Sequence, residues 1–141
     1  MQFSTVLLVD DEQAHVTLIE RNLRRVGFNN EIVKVDNGQG ALDWIDQLCN
    51  DMLATVPFIL LDINMPVKNG IEVLAEIKGN VKTSHIPVVM LTTTDNPAEI
   101  DLCYKLGCNA YIIKPVMHDE FKEKIRELGL FLNIISSPQL H

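Results

Sequence analysis

The chain reads as an α/β protein, a (βα)5 doubly wound sheet of five parallel strands. Strand-like and helix-like segments alternate from one end to the other. Three strand-like runs, Val6–Val9, Phe58–Leu61 and Val88–Leu91, are unbroken apolar stretches, as expected of strands covered on both faces. Polar residues stand directly after the runs. Asp10 and Asp11 come after the first, Asp62 after the second and Thr92 after the third, and Lys114 comes after Tyr111-Ile112-Ile113. A parallel sheet brings all of these ends to one edge, where open α/β sheets hold their ligands.

Strand 1 covers about Thr5–Val9. In helix 1, Val16, Ile19, Leu23 and Val26 recur three or four apart on one face, and Gly27 stops it. Strand 2, about Glu31–Val35, carries Glu31 and Lys34 and so belongs at an edge of the sheet. Asn37-Gly38 turns the chain into helix 2, with Leu42, Ile45 and Leu48 inside. Strand 3 is Phe58–Leu61. Helix 3 runs from about Gly70 to Lys78 and buries Ile71, Leu74 and Ile77. The connection Lys78–His85 is slightly long, and Pro87 precedes strand 4, Val88–Leu91. Pro97 suits the first turn of helix 4, where a missing N–H breaks no helical bond; that helix ends near Gly107. Strand 5 is Tyr111–Ile113. Helix 5 starts near Met117 and buries Met117, Phe121, Ile125 and Leu128.

A length of 141 residues suits one domain, expected to have a core over about 4–130 and a short tail over 131–141. With 47% hydrophobic and 22% charged residues, the chain can build a core. A net charge of −7 argues against direct nucleic-acid binding, since phosphate contacts need Lys and Arg. No run approaches the roughly 20 apolar residues of a membrane helix. Met1–Thr5 lacks the basic and apolar regions of a secretory signal. The three cysteines, Cys49, Cys103 and Cys108, have no metal-type spacing and read as free thiols in a reducing cytoplasm.

Asp10 and Asp11 packed near Asp62 repel one another unless a cation neutralises them. Mg2+ suits such a cluster, because it prefers oxygen and takes one or two carboxylates beside a phosphoryl oxygen. Lys114 adds positive charge and Thr92 a hydroxyl donor, so the set can position and neutralise a transferring phosphoryl group. Asp62 stands alone at the end of a central strand and is the better candidate for the nucleophile, giving an aspartyl phosphate. Each residue alone has a plainer reading. Asp11 could cap helix 1. Asp62 could be a turn residue ahead of Pro66 and Gly70. Lys114 could be a solvated strand end, and Thr92 is one hydroxyl of Thr92-Thr93-Thr94. Those readings leave the joint placement at matching strand ends to coincidence. His15, at the start of helix 1, is either an exposed surface histidine or a contact for a partner's helix.

The segments Leu7–Glu12, Leu60–Pro66, Asn69-Gly70, Pro87–Thr92, and Gly107 with Tyr111–Pro115 resemble the receiver domain of two-component response regulators. The likeness runs over about residues 4–130. It implies a flavodoxin-like fold with strand order 2-1-3-4-5. It implies Asp62 as phosphoacceptor, supplied by the phosphohistidine of a sensor histidine kinase or phosphotransfer protein. Asp11, Asp62 and the backbone carbonyl of Asn64 would be Mg2+ ligands, with Asp10 a ligand through water. Lys114 would contact the phosphoryl group, and the Lys114–Pro115 bond would be cis. Thr92 and Tyr111 would form a switch pair that biases the surface of helix 4, strand 5 and helix 5 once phosphate is bound.

Departures from the family pattern also carry expectations. Thr93, bordering the phosphoryl site where a small residue is frequent, is expected to slow access or dephosphorylation. Val116 replaces a frequent aromatic residue. Asn109-Ala110 replaces the paired acids of many DNA-binding members, which argues against their salt-bridged dimer. The apolar Leu130, Phe131, Leu132, Ile134 and Ile135 either finish the last helix or form a homodimer or docking patch together with helix 4, strand 5 and helix 5. Val73–Lys78 and the connection after it are similar to those of stand-alone regulators associated with phytochrome-type or hybrid kinases. A stand-alone regulator is expected, with a fragment of a longer regulator or a phosphate-independent scaffold as the alternatives. A haloacid-dehalogenase-like phosphatase needs an acid two residues after its nucleophile, where this chain has Asn64. A flavodoxin-like cofactor site needs a phosphate-binding loop where Asp10-Asp11-Glu12 would repel phosphate. No enzyme activity is expected beyond the domain's own phosphotransfer and dephosphorylation.

Overall fold

In the computed structural model, which describes residues 3–50, 56–114, 119–120, 122–124 and 126–128, the unbroken apolar runs lie at the centre of a parallel sheet. The strands are β1 (Phe3–Val9), β2 (Glu31–Val35), β3 (Val56–Leu61), β4 (Val88–Thr92) and β5 (Ala110–Ile113), in the order β2-β1-β3-β4-β5. The expected doubly wound sheet and its strand order are therefore present. β4 is buried throughout and β3 along all but its first residue, whereas β2, at the edge, buries Ile32 alone. β1 and β3 begin earlier than their apolar cores because Phe3 still pairs with Val56.

Successive strand residues face opposite sides, so the sheet divides its apolar side chains between two cores. Val6, Leu8, Phe58, Leu60, Val89 and Leu91 pack with Val16, Ile19 and Leu23 of α1 (Gln13–Arg25) and with Leu128. Leu7, Val9, Ile59, Leu61, Val88 and Met90 pack under α2 (Gly38–Cys49), α3 (Gly70–Lys78) and α4 (Pro97–Leu106). α4 carries Pro97 in its first turn and ends at Gly107, whose φ of 108° only glycine adopts readily.

In three helices part of the expected inner face is buried as expected (Val16, Ile19 and Leu23 of α1, Ile45 of α2, Leu74 and Ile77 of α3) and single positions differ. In α1, Asn22 is buried with its Nδ2 donating to Leu18 O at 2.8 Å, while Val26 is the half-buried C-cap. In α2, Ala41 joins Ile45 inside, and Leu42 and Leu48 are half-buried. A small inner face is needed there because α2 starts hard against the loop before α3: a Cβ on Gly38 would lie 2.2 Å from Lys68 O. In α3, Val73 replaces Ile71 inside. Where apolar residues are adjacent, as in Val73-Leu74, periodicity fixes the repeat and leaves the phase to packing.

The long connection before β4 is held from within. Lys78 Nζ donates to Ser84 O (3.0 Å) and Ile86 O (2.6 Å), and the buried Thr83 hydroxyl donates to Ile77 O (2.6 Å). The chain is helical again at 119–120, 122–124 and 126–128, with Leu128 buried. The expectations for the side chains of Met117, Phe121 and Ile125, for the Lys114–Pro115 bond, for Val116 and for Leu130 to Ile135 lie outside the described residues. Among the described residues no helix is long and apolar enough to cross a membrane.

Candidate functional site at the acidic edge of the sheet

Sheet hydrogen bonding continues one residue past the strands and so fixes the backbone of the site. Asp10 N donates to Val35 O, Asp62 N to Val9 O (both 3.0 Å) and Lys114 N to Thr92 O (2.6 Å). Asp10, Asp62, Thr92 and Lys114 thereby meet at the edge that the apolar runs predict, at 3%, 7%, 0% and 4% exposure. Charged groups are rarely so buried unless paired. Asp11 is exposed beside them. One oxygen from each of Asp10, Asp11 and Asp62 falls in a group spanning no more than 4.8 Å.

Both oxygens of Asp10 are engaged. Its Oδ1 accepts from Glu12 N at 2.9 Å, which ties it to the start of α1, and its Oδ2 accepts from Lys114 Nζ at 2.5 Å. Lys114 Nζ lies 3.0 Å from His15 Nδ1 and 3.9 Å from Asp62 Oδ2. The lysine thus pairs with Asp10 more closely than with Asp62. Asp62 Oδ1 accepts from Ile63 N at 2.8 Å. Burial pushes the Asp62 carboxyl above its ordinary value. The Thr92 hydroxyl and Lys114 oppose that rise, Asp10 adds to it, and the Ile63 N–H opposes it.

Gly70 closes the floor of the site. Its N–H donates to Ile63 O at 2.8 Å, and a Cβ there would stand 2.0 Å from Asp62 O. Asn69 caps α3 in front of it through a reciprocal pair with Glu72.

Beside Asp62 the remaining candidates are linked through Thr94. Asn64, an exposed residue, donates from Nδ2 to Thr94 Oγ1 at 3.1 Å. Tyr111 OH donates to Thr94 O at 2.8 Å, and Thr94 N donates to Thr92 Oγ1 at 3.4 Å. The Tyr111 phenol is pushed up to about 12, first by burial and then by Cys103, Glu99, Asp62 and Cys108, so it remains a donor. Thr93 is exposed. Sequence reasoning passed over Thr94 because it is one of three threonines in a row. It placed His15 at the edge but expected an exposed ring or a partner contact; the half-buried ring meets Lys114.

The donors at the cluster are carboxylate oxygens, the set that suits a hard divalent cation such as Mg2+ or Mn2+. A groove of about 580 Å3 between α2 and α3, lined by Leu42, Asp46, Lys68, Glu76 and Thr83, contains none of these residues.

The family description "response regulator receiver domain" matches residues 6–126. A probable methanogenesis regulatory protein, FilR2 of Methanothrix harundinacea, is 34% identical over 123 residues, 87% of this chain and 79% of its own. Response regulator Rcp1 of Synechocystis is 37% identical over 110 residues, 77% of this chain and 75% of its own. A receiver domain crystal structure from Rhodospirillum rubrum superposes with a TM-score of 0.86 at 43% identity, covering 92% of this chain and 94% of that one. The Mn(2+)-bound form of Rcp1 gives 0.84 at 31% identity over 95% and 96% of the two chains. The phosphorylated cyanobacterial phytochrome response regulator RcpA gives 0.83 at 34% identity over 92% and 94%. Matched along most of its length in both sequence and fold, the chain belongs to the response regulator receiver domains.

Proposed function

We propose that this domain is a phosphoacceptor switch in which Asp62 takes a phosphoryl group from the phosphohistidine of a sensor histidine kinase or phosphotransfer protein. The observation that carries this reading is a buried Asp62 with two further carboxylates in its cluster and a buried lysine at 3.9 Å. An Asp62 oxygen attacks phosphorus, the P–O bond forms as the P–N bond breaks, and the released imidazole takes up a proton. Asp10, Asp11, Asp62 and the carbonyl of Asn64 would hold Mg2+, and the Mn(2+)-bound Rcp1 structure supports a divalent ion in this fold. When bound, the cation neutralises the carboxylates and the phosphoryl oxygens. Lys114 contributes positive charge to the transferred group, and Thr92 donates its hydroxyl.

That new bond to Thr92 draws on a residue already linked to Thr94, and Thr94 O holds the Tyr111 hydroxyl. Thr92 and Tyr111 therefore respond together, which favours one arrangement of α4, β5 and the last helix. Leu102 and Tyr104 of α4 and Ile113 of β5 are exposed there, and they support partner docking or homodimerisation through this face. Solved phytochrome response regulators among the similar structures support a phytochrome-type or hybrid kinase as the donor. The domain works in the cytoplasm and without direct nucleic-acid contact, and the likeness to FilR2 and Rcp1 over 79% and 75% of their own lengths supports a stand-alone regulator.

Intact mass of the chain treated with acetyl phosphate and Mg2+ tests the reading. One added phosphoryl group is expected in the wild type and none in Asp62→Asn, with a change in size-exclusion elution if the α4–β5 face controls assembly. Equal modification of both proteins would remove Asp62 from the role.

A further inference from the structure

Lys114 carries three donors and no acceptor. It bonds to Asp10 Oδ2 at 2.5 Å and to His15 Nδ1 at 3.0 Å, while Asp62 Oδ2 at 3.9 Å is beyond hydrogen-bond reach. For the lysine to donate to it, Nδ1 must be the lone-pair nitrogen of the His15 ring, with the ring proton on Nε2. His15 projects from the first turn of α1, and the start of that helix is tied to Asp10 through Glu12 N. One short segment, Asp10 to His15, therefore offers the ammonium both of these acceptors.

We propose that His15 is a positioning residue whose imidazole holds the Lys114 ammonium on Asp10, and so sets how readily Asp10 is released to a divalent cation and Lys114 to a phosphoryl group at Asp62. The inference rests on the phosphoacceptor reading above. Asp10 Oδ1 is engaged by Glu12 N and Oδ2 by Lys114. With one hydrogen bond on each oxygen, Asp10 has less negative charge to offer a cation while Lys114 is bound to it. A group that stabilises the lysine on Asp10 thus competes with cation binding, and the buried setting strengthens each of its bonds.

Calorimetric titration of the chelator-treated chain with Mg2+ provides the test, comparing wild type, His15→Leu and His15→Asn. A hydrogen bond to a buried ammonium is lost in His15→Leu, so Mg2+ is expected to bind about three- to tenfold more tightly. His15→Asn places an amide oxygen close to the Nδ1 position and is expected to return the affinity to the wild-type value. In the wild type, the 15N signal of His15 Nδ1 is expected to move as Mg2+ is added, a readout that needs no variant to fold. Equal or weaker binding by His15→Leu, an Asn variant that behaves like Leu, or an unmoved Nδ1 signal would each overturn the proposal. If the wild type binds Mg2+ and is phosphorylated at Asp62 while His15→Leu matches it, this proposal fails alone. Failure of the wild type to bind Mg2+ would sink the site reading and this proposal together.

Discussion

Asp62 sits in surroundings that favour its neutral form, because burial and Asp10 outweigh Thr92, Lys114 and the Ile63 N–H. Its folded-state value lies above the ordinary 3.8, so the native chain holds the proton more tightly than the unfolded one. Stability is therefore lost as pH rises from 3.8 through the folded value, and it stays lost above that. Asp62→Asn keeps the shape and removes the charge. It is expected to stabilise the fold near neutral pH by about 1 kcal/mol, or about 3 °C in Tm. The gain should shrink as pH falls through the folded value, and melts of both proteins across pH check it; a constant difference would contradict the account. Asp10, Asp62, Thr92 and Lys114 were legible as a group because each stands at the end of an apolar run. Which acid the lysine joins was not legible. Asp10 and Lys114 are 104 positions apart, and their contact depends on strand register and rotamer. The His15–Lys114 contact and the linking place of Thr94 were not legible because their partners lie on other elements.

Helices set the precision of the site. Gly70 begins α3 beneath Asp62, and a Cβ there would meet Asp62 O at 2.0 Å and Ile63 Cα at 2.8 Å, both backbone atoms that yield little. Gly70→Ala is expected to cost about 3 kcal/mol and to displace Asp62, the proposed phosphoacceptor. Asn69→Ala removes only the cap and is expected to cost about 1 kcal/mol while leaving Asp62 reactive. Urea midpoints paired with acetyl phosphate mass spectra separate the two; normal phosphorylation of Gly70→Ala would show that the close approach does not matter. Element order and type were readable from alternating runs, Pro97, Gly107 and the Asn37-Gly38 turn. Helix phase was readable only in part. Adjacent apolar pairs such as Val73-Leu74 and Ala41-Leu42 fit more than one inner face, and contact with the sheet decides between them. The internal bonds of the connection before β4 were equally hidden, since Lys78 and Thr83 act there through backbone carbonyls.

At the scale of the molecule, the sheet separates two cores that share its strands. Leu60 faces the α1 side and Leu61 the α2–α3 side, and both are fully buried. Leu60→Ala and Leu61→Ala are each expected to lose about 3 kcal/mol, within a single cooperative transition. Urea unfolding monitored by far-UV and tryptophan signals checks this, and two separated transitions would mean that the layers unfold independently. The two-layer covering was legible in the unbroken strands. The strand order was supplied by family likeness, because alternation alone permits several. The ion pair between Asp10 and Lys114 also has a meaning in time. Synthesis delivers Asp10, Asp11 and Asp62 well before Lys114, and β5 bonds to β4. A half-made chain on the ribosome therefore carries the acids without their lysine until β5 has docked on β4.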